Sequence, residues 1–222
     1  MREEVFVYGT LMWPSVLEAV LGRRPDARPA VITGFIRRRV KEQHYPALVH
    51  ADTPSPPPPL LPLVRGLLLA VDSREVRLLD NYEDDEYRLA PVDATPLDLE
   101  AFRIATRLLP PEQQGDPFAW ATAKDQVLGK GWEAAARRAG NDGGSTVETT
   151  TYLWEAERFG TLLEDGPHSE WDVQTFAPHE ETFVGNLRYW LAEQARDRAK
   201  LATADEASER DRSSRQLQKA EC

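Results

Sequence analysis

Two stretches of this chain place residue types where they could do chemistry. The first is Tyr8-Gly9-Thr10-Leu11-Met12-Trp13, between the strand-like run Val5-Phe6-Val7-Tyr8 and a helix start at Trp13-Pro14-Ser15. A glycine at such a junction lets the backbone turn sharply and leaves several N–H groups free to face a small anion. The partial positive charge of a helix N-terminus suits a carboxylate or a developing oxyanion. Strand-glycine-helix junctions are common, so this stretch says little alone. The second is Leu79-Asp80-Asn81-Tyr82-Glu83-Asp84-Asp85-Glu86-Tyr87. If 74–83 is helical, Val76, Leu79 and Glu83 stand at i, i+3 and i+7 on the apolar face, which turns Glu83 inward. Burial and like-charged neighbours both raise a carboxyl pKa, which suits a general base near neutral pH. The alternative is a solvated acidic turn with Glu83 rotated outward.

Much other chemistry has no support. The chain carries no GxSxG, Walker A, GxGxxG or HExxH pattern. Its four histidines, His44, His50, His168 and His179, are far apart in sequence and none pairs at metal-ligand spacing. The single cysteine, Cys222, excludes an intramolecular disulfide and a Cys-based zinc site. A net charge of -10 disfavours non-specific binding to nucleic acid. No apolar run is long enough to span a bilayer. The opening Met-Arg-Glu-Glu does not read as a signal peptide, and Cys222 is not part of a prenylation box. These features lead to an expectation of a cytoplasmic protein in which a metal has no sequence support; no cofactor is expected, and the chain is expected as monomer or homodimer without a feature that decides between them.

The elements that must position these residues follow from patterning. A helix over Val16, Leu17, Val20 and Leu21 ends at Gly22. Residues 30–40 read as one strand with a bulge at Gly34, ending in a solvated Arg37-Arg38-Arg39 run. Pro54 to Pro62 holds six prolines in nine positions and reads as a polyproline II surface loop. Val64 to Val71 is a buried strand, and Asp72 or Ser73 caps the helix that carries Glu83. Glu86 to Val92 and Val147 to Trp154 are further strands. Between them, residues 97 to about 145 read as an insertion, with a possible helix over 120–139 broken at Gly129 and Gly131 and a turn-rich Gly140 to Ser145. A last helix begins near Phe183. The expected organisation is one domain over 1–190 and a charged helical or disordered tail over 191–222.

Taken in order, four patches resemble the γ-glutamylcyclotransferase-like superfamily, most closely its AIG2-like branch. Val5 to Leu11 is similar to the N-terminal YG[ST]L loop, and Tyr45-Pro46-Ala47-Leu48-Val49 to a YPA-type segment. Val64-Arg65-Gly66-Leu67 is similar to the VxG strand, and Leu79 to Glu83 followed by Tyr87-Arg88 to an LDxxE…YR stretch. A weaker fifth match joins Thr151-Tyr152-Leu153-Trp154 to Trp171-Asp172 and Phe176. The resemblance covers about 5–94 and 147–190.

It implies an α+β fold, a small mixed β-barrel with flanking helices and a cavity at one end, here with an insertion and a C-terminal helical tail. It also implies an enzyme that cleaves a γ-glutamyl amide by attack of the substrate's own α-amino group, releasing 5-oxoproline and an amine or amino acid. Glu83 would be the catalytic acid/base, with Tyr8, Gly9, Thr10, Leu11 and Met12 holding the small-molecule γ-glutamyl substrate. Tyr45 and Tyr87 would be either pocket walls or core. Many relatives have glycine directly after the glutamate, whereas this chain has Asp84 and Asp85. These charges could raise the Glu83 pKa or repel an acidic substrate. Another biosynthetic tailoring step on the same scaffold, or a non-catalytic binding or stress-response role, are the competing readings.

Overall fold

Strands and mostly short α-helices make up a structure that is a computed structural model and describes residues 2–51, 61–129, 131–141, 146–166 and 170–196. Five of the strands close into a barrel: β1 (Arg2–Val7), β5 (Leu63–Asp72), β2 (Ala27–Thr33), β6 (Tyr87–Pro96) and β7 (Val147–Trp154), in that order. Four of the five seams are antiparallel, and the parallel β1–β7 seam closes the ring. That seam pairs only Val5 with Thr150 and Phe6 with Thr151. Two threonine hydroxyls supplement it, Thr149 donating to the Glu4 carbonyl at 2.5 Å and Thr151 to the Phe6 carbonyl at 2.8 Å. The barrel is filled by Phe6, Tyr8, Ile32, Leu68, Val92 and their neighbours. β6 shows the alternation that a barrel wall requires, with Ala90, Val92 and Ala94 inward and Leu89, Pro91 and Asp93 outward.

Residues 30–40 are not one bulged strand. Gly34, at φ +80°, turns the chain out of the barrel, and β3 (Phe35–Arg39) pairs instead with β4 (Pro46–His50) in a separate two-stranded ribbon. Glycine suits that turn because it has no Cβ to clash at positive φ. The Arg37 to Arg39 run is not a solvated end either. Arg38 and Arg39 donate to the carbonyls of Glu164 and Glu170, and Arg37 is buried.

The excursion between β6 and β7 leaves and re-enters neighbouring strands, which pair from Tyr87 opposite Trp154 to Ala94 opposite Val147. Its helices are separate rather than one interrupted rod: α3 (Leu99–Thr106), α4 (Pro117–Thr122), α5 (Asp125–Leu128) and α6 (Gly131–Asn141). Trp120 is its centre, meeting Phe102 and Trp132 edge-on. The buried Arg65 of β5 ties this layer to the barrel by donating to the Trp120 and Ala123 carbonyls. α4 packs on β2 and β5 and reaches the turn at Thr10–Met12. The proline-rich stretch, save for residues 61 and 62, lies outside the described residues, as do Asp142 to Ser145 and the chain beyond 196. By its internal contacts the chain divides into units 1–180 and 181–222; in the second, 181–196 are helical. Among the described residues no helix is long and apolar enough to cross a membrane.

Candidate active site

Glu83 owes its position to a helix anchored at its other end. Asp72 caps α2 (Ser73–Glu83) by accepting from the amides of Arg74 and Glu75 at 2.8 and 2.9 Å, and Glu75 reciprocates by accepting from the Asp72 amide. Such a capping box satisfies two N–H groups that a helix start leaves unpaired. The Glu75 carboxylate also takes a bidentate pair from Arg23, at 2.6 and 2.7 Å, which ties α2 to the loop after α1 (Pro14–Leu21). Leu79 is fully buried on the same face, and one turn further on Glu83 is half-buried.

The electrostatics at that end of α2 are one-sided. Burial, and after it the charge of Glu86, push the Glu83 carboxyl from 4.5 up to about 8. No described cation offsets the shift, and no described group donates a hydrogen bond to the carboxyl. Five tyrosines feel the charge of Glu83: Tyr8, Tyr45, Tyr82, Tyr87 and Tyr152 are all raised, by burial first, Tyr45 to about 12. They therefore stay neutral throughout the physiological range. Four of the hydroxyls are committed to the protein. Tyr8 donates to the Tyr152 carbonyl at 2.6 Å, Tyr152 to Asp80 at 2.7 Å and Tyr87 to the Pro46 carbonyl at 2.8 Å, while Tyr82 shares a 2.7 Å bond with the Thr10 hydroxyl. A carboxyl whose pKa lies near neutrality, ringed by hydroxyls that are not titrating, is the one group here suited to moving a proton.

The Tyr8 to Trp13 loop stands next to it through the Thr10–Tyr82 bond. Thr10, Leu11 and Met12 form a single 3-10 turn, in which the Met12 amide donates to the Gly9 carbonyl and the Trp13 amide to that of Thr10. The Met12 amide is thus spent, and its side chain is fully buried. The amides of Gly9, Thr10 and Leu11 have no acceptor among the described residues, although the stretch itself is buried. Buried N–H groups are nearly always paired with protein, water or ligand, which makes these three the loop's candidate anion donors. Glycine at position 9 has a definite cause: a Cβ there would come within 2.8 Å of the Pro46 ring. That contact brings the first motif against the Tyr45-Pro46-Ala47 segment. Tyr45 and Tyr87 are half-buried and pack on the small apolar cluster of Val40, Ala47, Trp154 and Leu163, so each is both packing and a neighbour of Glu83.

The family model described as "Gamma-glutamyl cyclotransferase, AIG2-like" matches residues 5–123, which spans β1, the loop, α2 and Glu83. The chain belongs to this family. Among its relatives, an AIG2-like protein C of Arabidopsis thaliana is 29% identical over 131 residues, 59% of this chain and 66% of that one. The AIG2-like protein A of the same plant is 35% identical over 89 residues, 40% of this chain and 49% of that one. Matched stretches thus cover between 49% and 73% of the length of these curated relatives. A yeast γ-glutamyl cyclotransferase specific to glutathione superposes with a TM-score of 0.42 at 14% identity, covering 86% of this chain and 96% of its own. At that distance the family assignment rests on the sequence match. At family level the chain is γ-glutamyl cyclotransferase-like.

For this cyclotransferase-like chain, several neighbours of Glu83 went unnoticed in the sequence. Tyr82 was visible only as part of a motif, and Tyr152 as a strand residue. Glu86, half-buried, is the carboxyl that acts on Glu83, whereas Asp84 and Asp85 act on Glu86. Helical phase could have flagged Tyr82, since it lies three residues after Leu79 on the buried side. Among the described residues no three His, Cys, Asp or Glu side chains are grouped to hold a metal ion.

Asp84 directly follows Glu83, and its backbone is one that glycine fits. It stands at φ 57°, ψ −164°, a region essentially reserved for glycine. Asp84→Gly is expected to stabilise the fold by about 1 kcal/mol, the relief of strain exceeding the extra backbone entropy that glycine brings. Urea unfolding of Asp84→Gly beside Asp85→Gly checks this, since only the first position has a left-handed backbone. An unchanged midpoint for Asp84→Gly would refute the strain.

Proposed function

We propose that the protein cleaves a γ-glutamyl amide by intramolecular cyclisation, releasing 5-oxoproline and an amine or amino acid. Ionised Glu83 takes a proton from the substrate's α-ammonium group. The freed nitrogen attacks the γ-carbonyl carbon, and the oxygen of the tetrahedral intermediate is held by the loop amides of residues 9–11. Attack closes the ring, Glu83 returns its proton to the leaving nitrogen as the old C–N bond breaks, and the ring nitrogen's second proton is lost to solvent while the departing amine takes one up. Holding amine and carbonyl in reach of one another supplies much of the rate, since an intramolecular reaction avoids the entropic cost of encounter. No cofactor enters this chemistry. The observation that supports the reading is the Glu83 carboxyl, raised to about 8 at the end of α2 that the Tyr82–Thr10 bond joins to the loop.

A panel of γ-glutamyl amino acids, γ-glutamyl amines and glutathione tests it, with 5-oxoproline followed by mass spectrometry. Release of 5-oxoproline from at least one member is expected. Silence across the whole panel would refute the cyclotransferase reading and move the weight to another substrate on the same scaffold or to a binding role.

A further inference from the structure

Arg37, on β3, is only 8% exposed, unusual for a guanidinium. Its Nη1 donates to the Tyr8 carbonyl at 3.2 Å, and its guanidinium carbon stands 5.2 Å from the centre of the Trp171 ring. Trp171 is held in turn. Its amide donates to the Arg37 carbonyl at 2.8 Å, its indole Nε1 donates to the His44 carbonyl at 2.8 Å, and its ring meets Trp13 edge-on. The guanidinium is therefore set between a fixed aromatic face and one carbonyl of the loop. Opposite Arg37 on β4 is Leu48, buried in the barrel core beside Tyr8. The β3–β4 ribbon thus holds Tyr8 by its main chain.

A trans peptide points the C=O of one residue and the N–H of the next in opposite directions within one plane. Holding the Tyr8 carbonyl on Arg37 consequently directs the Gly9 N–H away from Arg37. A cation on that carbonyl also polarises the peptide unit and strengthens the N–H as a donor. We propose that Arg37 is a positioning residue that orients and polarises the Tyr8–Gly9 peptide, so that the Gly9 amide stabilises the oxyanion of the reaction. The inference rests on the cyclotransferase reading for the use of that amide, though not for its orientation.

Arg37→Met, which keeps the side-chain length and removes the charge, tests both parts. Losing an oxyanion donor outright typically costs 10²- to 10³-fold, so weakening one is expected to lower kcat by about 10- to 100-fold. KM should change by less than about threefold, because the interaction is made in the transition state. Arg37→Lys should recover part of the loss. In the substrate-free protein, the Gly9 amide resonance should move in Arg37→Met while the amide of Gly66, on another strand, stays in place. Should Arg37→Met fail to fold, Arg37→Lys carries the same readings with smaller shifts. An unmoved Gly9 resonance in a folded variant, or a loss confined to KM, overturns the proposal. If the parent turns over nothing on the panel yet the Gly9 resonance moves, Arg37 still positions the peptide and the cyclotransferase reading alone is lost.

Discussion

Glu83→Gln is expected to lower turnover of the best γ-glutamyl substrate by about 10²- to 10⁴-fold, the usual contribution of a well-placed acid/base. Glutamine keeps the shape and removes the proton-carrying group, so KM should change far less than kcat. The parent's rate should rise with pH toward a plateau above about 8, because only the ionised carboxylate can accept the proton. The variant should lack that rise. Stability gives a second reading that needs no substrate. The folded carboxyl titrates near 8 against an ordinary value of 4.5, so between these limits the folded state binds more protons than the unfolded one. Its contribution to stability is whole below pH 4.5 and is lost as pH rises through 8. Glu83→Gln has nothing to lose in that window. Its Tm should equal or trail the parent's at pH 4.5 and gain on it steadily toward pH 9. Parallel Tm curves would mean that Glu83 is not buried as described, and the acid/base role would fall with it.

Gly66→Ala should be the most damaging small substitution in the barrel. A Cβ on Gly66 would stand 2.2 Å from the backbone oxygen of Val7 and 2.5 Å from the Phe6 ring. A ring can rotate aside; a strand oxygen cannot without moving β1 off β5. That shift would open the pairing of Val7 with Leu67 and displace Tyr8 and the loop beyond it. Overpacking costs typically 1–3 kcal/mol, and a backbone clash belongs at the upper end, so a loss of about 3 kcal/mol is expected. For a chain of this size that corresponds to a Tm lower by roughly 10 °C. Combining it with Phe6→Leu separates the two contacts. Removing the ring should restore little, because the closer obstacle is the Val7 oxygen. Full recovery in the double variant would show that the strand spacing is not what demands glycine.

Much of this architecture was legible because it is local. The run Val5 to Tyr8, the capped helix ending at Glu83 and the glycine stop at Gly22 are set by burial period, a side-chain cap and a left-handed backbone, each written within a few residues. The pairing of the strands on either side of the insertion could also be anticipated, since an excursion must return to its sheet. What failed was Ala30 to Val40. The apolar pattern there is continuous through Gly34, and nothing local says whether a glycine bulges a strand or ends one. The fate of the three arginines followed from that error: a strand end in solvent and a ribbon folded against the loop have the same sequence.

The candidate site divides along the same line. Its residue types are read from the sequence, and helical phase against Leu79 allows an inward Glu83, but spacing alone leaves the solvated acidic turn open. The magnitude of the Glu83 shift is not legible there, since it depends on water excluded by tyrosines drawn from three other parts of the chain: Tyr8, Tyr45 and Tyr152. The acidic neighbour that matters proved to be Glu86 rather than Asp84 or Asp85, a distinction made by how the turn after α2 folds. The unpaired loop amides and the hold of Arg37 on the Tyr8 carbonyl likewise exist only once β3–β4 is folded beside β1. Short-range terms such as capping and periodicity are encoded within a few residues, whereas desolvation and charge coupling depend on which distant segments exclude the solvent, and that is a property of the assembled barrel.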